Sequence, residues 1–174
     1  MHSRFLLVPA AIVMAASPSA RAIDIQTLEA AQQRLWPGAT LVPADFALSL
    51  DQFERLQDEY RVPALRPKVK AWRVAGGGWL FLDQVYGLND IVTYLVAVDD
   101  AGKVRGIEIL VCAEGYCGIA LPEWRATLVG RTHGKWNPAD VVPNISGTTL
   151  STVHVAEGVK KILAIHARYL PAAK

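Results

Sequence analysis

The spacing of apolar positions along this 174-residue chain runs from helical to alternating and back to helical. Ile25, Leu28, Ala31 and Leu35 recur at three- and four-residue intervals. That spacing predicts a first helix over 25–35, stopped by Pro37-Gly38. After a short run at 39–42, Leu50, Phe53 and Leu56 predict a second helix through Tyr60, capped by Ser49 or Asp51 and ended by Pro63. The period then becomes two. Arg66, Lys68, Lys70 and Arg73 alternate with Pro67, Val69, Ala71 and Val74, the pattern of a half-exposed strand. Gly76-Gly77-Gly78 turns the chain into Trp79-Leu80-Phe81-Leu82. Ile91–Val98 and Val104–Val111 are β-rich runs joined by Asp99-Asp100-Ala101-Gly102-Lys103, which reads as a hairpin.

Helical spacing returns at Leu121–Val129, with Pro122 suited to a first turn. Residues 130–145 are polar and turn-rich. From Leu150 to Leu170 the stripe Val153, Ala156, Val159, Leu163, Ala167, Leu170 predicts a long amphipathic helix ended by Pro171. No internal repeat, low-complexity run or linker interrupts the chain. The fold expected is α+β: a single domain with a twisted antiparallel sheet packed against helices and a long C-terminal helix.

Composition changes this picture at the amino terminus. A mean hydropathy of +0.22 and 52% hydrophobic residues suggest a membrane protein at first sight. Much of that character lies in residues 5–16, a 12-residue apolar stretch behind Arg4 and before Ser17-Pro18-Ser19 and Ala20-Arg21-Ala22. This is the order of a secretory signal peptide. As a helix the stretch reaches roughly 18 Å, short of a hydrocarbon core of about 30 Å. The expectation is a signal at 1–22, a mature domain at 23–174, a periplasmic location and no permanent membrane span after cleavage. Cleavage removes two arginines and no acid, leaving 16 basic and 16 acidic residues. A neutral chain is a poor nucleic-acid binder, so no nucleic-acid partner is expected.

Export also bears on Cys112 and Cys117, which an oxidising compartment favours pairing into a local disulfide. A redox-active dithiol is the alternative, although the spacing is not Cys-x-x-Cys. Without a His after Cys117, covalent haem attachment is not indicated, and two Cys with scattered His do not suggest a metal site.

The segment richest in chemistry is Ser146-Gly147-Thr148-Thr149-Leu150-Ser151, directly before the long helix. Glycine allows close backbone approach, hydroxyls donate to anionic oxygens, and a helix start adds orphan N–H groups and a positive dipole end. A phosphate or carboxylate site and a plain hydroxyl-rich helix cap both satisfy these observations.

The segment resembles the Ser-Gly-Ala-Thr-x-Ser/Thr motif of the FMN-binding domain family, which includes the C subunit of the sodium-translocating NADH:quinone oxidoreductase and the G subunit of the Rnf complex. The likeness continues in order along the chain. Trp36-Pro37-Gly38-Ala39 is similar to the aromatic-Pro-Gly-Ala of that family. Tyr86-Gly87 and the following hairpin resemble its Gly/Tyr-rich turn and hairpin, and Gly115-Tyr116-Cys117-Gly118 falls at its Gly-rich loop. The resemblance implies FMN joined to Thr149 through a phosphoester, made by a flavin transferase that uses FAD and releases AMP. It implies Ser146, Gly147, Thr148 and Ser151 around the phosphate and Gly118 against the flavin. Two departures stand out: Thr148 replaces the family's Ala, and the nearest upstream Asp is Asp140.

The function expected is that of an exported flavoprotein transferring electrons between membrane or periplasmic redox partners, rather than an enzyme turning over a substrate. A cofactor-free interaction module of the same fold and a noncovalent anion- or FMN-binding protein are the alternatives. Trp124, Trp136 and Tyr116 are candidates to stack on a flavin ring or to be core. His154 and Glu157 are one turn apart near the helix start and read as surface or cap residues, with a proton relay or metal role as the sharper alternative. Asn144-Ile145-Ser146 forms a glycosylation sequon by coincidence. The 66–73 cations suit a solvated face, or a docking patch for an acidic redox partner.

Overall fold

Four strands joined by tight turns form the centre of a sheet that buries both faces. In the computed structural model, which describes residues 23–60, 66–88, 90–112 and 117–170, these are β4 (Lys68–Val74), β5 (Trp79–Tyr86), β6 (Ile91–Val98) and β7 (Val104–Cys112). The chain order also gives β1 (Ile23–Asp24), α1 (Leu28–Leu35), β2 (Leu41–Pro43), β3 (Phe46–Ala47) and α2 (Leu50–Tyr60) before β4. After β7 come a single 3-10 turn at Gly118–Ala120, α3 (Pro122–Ala126), α4 (Pro138–Val141) and α5 (Thr149–Tyr169). The sheet is antiparallel in the order β1-β7-β6-β5-β4-β2, with β3 also on β4. The α+β architecture with a long C-terminal helix is therefore as the sequence predicts. The expected signal at 1–22, the Pro63 and Pro171 stops and Tyr116 lie outside the described residues.

Alternation along the central strands sorts side chains to two layers. Phe81, Val85, Val92, Tyr94, Val96, Ile107 and Ile109 face α5, together with Trp124 of α3 and Ile119 of the 3-10 turn. Leu80, Leu95, Ala97 and Leu110 face the other way, against Ala31 and Leu35 of α1. A third cluster, Leu48, Leu56 and Tyr60 with Ala164 and Ile165, seats α2 on the far half of α5. Because both faces are covered there, β6 reads as a nearly continuous apolar run, whereas β4 keeps the polar alternation of its sequence.

Several local expectations shift. Ile25 does not begin α1: its N–H bonds to the Leu110 carbonyl at 2.8 Å, prolonging the edge contact of β1, and Thr27 caps the helix by accepting from the Ala30 N–H. Ser49 and Gln52 make a reciprocal capping box on α2. Leu50, placed inward by spacing, is 69% exposed, whereas Phe53 packs partly buried on the core and Leu56 and Tyr60 are buried. Ala167 is exposed as well, although the neighbouring Ala164 and Ile165 are buried. Earlier in α5 the buried surface is wider than a stripe and includes Ser151, Thr152, Gly158 and Lys161.

A buried polar cluster fixes α5 over β5 and β6. Lys161 Nζ lies 2.7 Å from Asp83 Oδ2, and the Tyr94 hydroxyl donates to the same oxygen at 2.6 Å. A Cβ on Gly158 would stand 2.0 Å from that hydroxyl, so the bare glycine lets the helix sit directly over Tyr94. On the opposite layer, the buried Glu108 carboxylate of β7 accepts from Gln26, Arg34 and Arg125, joining α1 and α3 to one strand.

Gly158→Ala is expected to destabilise the fold by about 1–3 kcal/mol, the usual penalty for forcing atoms into a filled core. Adding Tyr94→Phe removes the clashing oxygen, so the double variant should lose less than the sum of the singles in urea unfolding.

His166, packed edge-on to Phe81, supplies a second expectation. Burial lowers its pKa below the ordinary 6.5, with Arg73 acting the same way and Asp100 and Asp99 opposing. As pH falls through 6.5 the unfolded chain takes up this proton before the folded one. The resulting stability, complete above that value, is lost as pH falls toward the lower folded value. Urea midpoints measured from about pH 7 to 5 should decline, and His166→Gln should flatten that part of the curve.

Candidate functional site

The 142–149 segment approaches α5 through a turn in which Gly147 has φ +85°. The Thr148 N–H returns to the Ile145 carbonyl at 3.0 Å, and the Thr152 N–H to the Thr148 carbonyl at 2.9 Å. Thr148 is thus the N-cap residue, yet its side chain makes no capping bond. Helix α5 begins with N–H groups that no side chain at the cap position covers, the arrangement that attracts anions.

The two adjacent threonines are placed oppositely. Thr149, at the first helical position, is exposed. Its hydroxyl donates to Asn144 Oδ1 and has the Ile145 carbonyl as a second acceptor at 3.1 Å. Thr148 is 1% exposed, and its Oγ1 is buried without a hydrogen-bond partner. That hydroxyl faces Gly118: a Cβ there would lie 3.2 Å from Thr148 Oγ1 and 2.8 Å from Ile145 Cγ2. Gly118 is itself buried. It packs against the turn that holds Ile145 and Thr148, a closeness only glycine permits.

Ser146 and Gly147 lie on the exposed outer side of the turn. Ser151, grouped with them by sequence, is fully buried, and its Oγ accepts from the Leu88 N–H at 3.1 Å. One turn on, His154 Nδ1–H donates to the Tyr86 carbonyl at 2.7 Å. These bonds hold the β5–β6 turn beside the first two turns of α5. They bring the exposed side chains of Tyr86 and Leu88 to the same end of the molecule as exposed Leu150.

The site therefore collects Gly118, Ser146, Gly147, Thr148, Thr149 and Ser151 at one end of α5. Asn144, beside the Thr149 hydroxyl, was visible in sequence only as part of a sequon. Leu88 carried no signal, because its place depends on a hydrogen bond from a residue 63 positions away. Asp140 sits in α4, where its carboxylate accepts from the Asn137 side chain at 3.0 Å.

The aromatic candidates separate. Trp124 is 1% exposed and belongs to the core. Trp136 is half-buried beside a cleft of about 450 Å³ shared with Tyr60, Asn137, Glu157 and Lys160, with the Lys160 ammonium 5.8 Å from its ring centre. His154 ties a strand end to α5. The 66–73 cations are largely engaged: Arg66 with Gln84, Lys70 with Asp45 and Arg73 with Asp100. Cys112 and Cys117 form a disulfide.

Thr148→Val keeps shape and β-branching while removing the partnerless hydroxyl. Leaving such a group buried costs about 1–3 kcal/mol, so this variant should match or exceed the wild type in urea unfolding. Gly118→Ala should fall below it, since the new methyl meets Ile145 side-chain atoms.

Comparison with curated proteins gives no significant match. A family model does match: the FMN-binding domain, over residues 87–164. The matched stretch begins at the β5–β6 turn, includes Gly118 and all of Ser146–Ser151, and ends within α5. Over those residues the chain is similar to the FMN-binding domain, which suggests a flavin-binding protein.

Proposed function

We propose that the protein carries FMN on Thr149 through a phosphoester and passes electrons between redox partners outside the cytoplasm. The observation that carries this reading is the contrast between the two threonines. Thr149 alone of the pair offers an exposed hydroxyl, and it does so at the uncapped start of a 21-residue helix. A phosphate joined there would lie at the positive end of the helix dipole and near its free N–H groups. Asn144 and the Ile145 carbonyl orient the hydroxyl. In the transfer, the Thr149 O–H bond breaks, an Oγ–P bond forms to the FMN half of FAD, and the P–O bond to AMP breaks.

Ser146 and Gly147 would border the phosphate from the turn, whereas Thr148 and Gly118 shape the loop from inside and Ser151 holds the neighbouring turn. Exposed Leu88, Tyr86 and Leu150 offer apolar surface suited to a flat ring. When bound, the flavin supplies the redox chemistry, and the protein supplies tethering, orientation and shielding. Among the described residues no helix is long and apolar enough to cross a membrane. Together with the signal-like 1–22 segment, that favours an exported carrier loaded by a flavin transferase and serving membrane or periplasmic partners.

Co-expression with a flavin transferase and measurement of intact mass test the reading. The expected gain is one FMN less one water, abolished in Thr149→Ala and retained in Thr148→Ala. An unmodified mass under conditions that load another family member overturns it. Yellow colour that dialysis removes would favour noncovalent binding instead.

A further inference from the structure

The disulfide ends where the attachment loop begins to be shaped. Cys112 is the last residue of β7 and is fully buried, so its backbone is fixed by the sheet. Cys117 is the N-cap of the Gly118–Ala120 turn, whose Ala120 N–H returns to the Cys117 carbonyl at 3.0 Å. The next residue, Gly118, packs on Ile145 and faces Thr148 Oγ1. Thus one S–S bond ties the rigid end of β7 to Cys117, the residue directly before the glycine that backs the loop presenting Thr149. A loop closed over a sequence separation of five gains little unfolded-state entropy relative to a long one, so a local positioning role is the larger effect to look for.

We infer that the Cys112–Cys117 disulfide licenses flavin attachment: it holds Gly118 against Ile145 and Thr148, and so keeps Thr149 presented in the form a transferase can use. This deepens the proposed function and rests on Thr149 being the attachment residue. Cys117 is then a positioning residue that acts through Gly118. The chemistry that sets it is thiol–disulfide exchange with an oxidised dithiol carrier. The two cysteine thiols give up two electrons and two protons and form one S–S bond, while the carrier's disulfide becomes two thiols. Before oxidation the turn lacks this cross-link to the end of β7, and Gly118 is held against the loop less firmly. Loading would therefore follow oxidation in an exported chain and lag in a reducing compartment.

The test uses the full mature chain without flavin, presented to a flavin transferase and FAD in three forms: oxidised, reduced with a phosphine, and as the Cys112→Ala/Cys117→Ala double variant. Intact mass follows the rate of modification, and circular dichroism confirms that each form is folded. The oxidised chain should be modified about tenfold faster than the other two, equivalent to about 1.4 kcal/mol in the barrier. Amide hydrogen exchange of the same flavin-free chains should be faster over residues 145–149 when the disulfide is absent, a change that a purely global stabilisation would spread across the sheet. Equal modification rates in folded oxidised and reduced chains overturn the inference and leave the Thr149 reading intact. If no form is modified yet exchange at 145–149 still rises on reduction, the Thr149 reading fails while the clamp on the loop stands. Unchanged exchange there overturns the clamp itself.

Discussion

The close approach of α5 to β5 and β6, made possible by Gly158 and locked by Asp83, is the constraint on which the functional end depends. Tyr94 reaches up from β6 to donate to Asp83, and Lys161 reaches down from α5 to the same carboxylate. All three groups are polar in a region otherwise filled by Phe81, Val85, Val92, Val159 and Ile162. Removing one partner of such a pair costs far more than the pair adds over an apolar replacement, so the arrangement specifies position more than it supplies stability. It sets both the rotation and the height of α5 on the sheet. Since Thr149 is the first residue of that helix, the same lock determines where its hydroxyl emerges.

From that point the site is assembled by contacts distant in sequence. Ser151 takes the Leu88 N–H and His154 holds the Tyr86 carbonyl, so the β5–β6 turn travels with α5. Gly118 comes from the far end of β7 to back Ile145 and Thr148. Three strand ends, those of β5, β6 and β7, thereby converge on one helix start. The helix start they frame has no side-chain bond from its N-cap residue, and Thr149 at its first position is exposed. Glu108, by contrast, organises the opposite layer with Gln26, Arg34 and Arg125 and is remote in role from the site.

Periodicity made the elements legible and left their depth obscure. The β6–β7 hairpin and α5 follow from spacing because sheet and helix impose periods of two and 3.6 on any buried face. Spacing alone does not tell how much of a helix is covered. Leu50 and Ala167 have the right interval and are exposed, while Lys161 has the wrong chemistry and is buried, since depth depends on which neighbour arrives. The motif at Ser146–Ser151 was legible as a group, but its division of labour was not. Ser and Thr look alike in sequence, whereas here Thr149 faces solvent, Thr148 faces Gly118 and Ser151 faces a turn 63 residues upstream. Asn144 was hidden for the same reason: its part comes from a contact with the Thr149 hydroxyl, not from a pattern.

The inward Thr148 explains how the position that resembles the alanine of the Ser-Gly-Ala-Thr motif takes a threonine here. The added hydroxyl points away from the exposed Thr149 side into the space above Gly118, where the missing glycine side chain leaves room for it. The fold accommodates its lost hydrogen bonds as a stability cost, not as an obstruction beside Thr149. Any side chain at 118 would press on Ile145 and Thr148 together and thereby turn an internal substitution into a displacement of the loop. The identities of residues 118 and 148 are therefore physically coupled in this chain. The disulfide one residue before Gly118 belongs to the same coupled unit, because it determines how firmly that glycine stays against the loop.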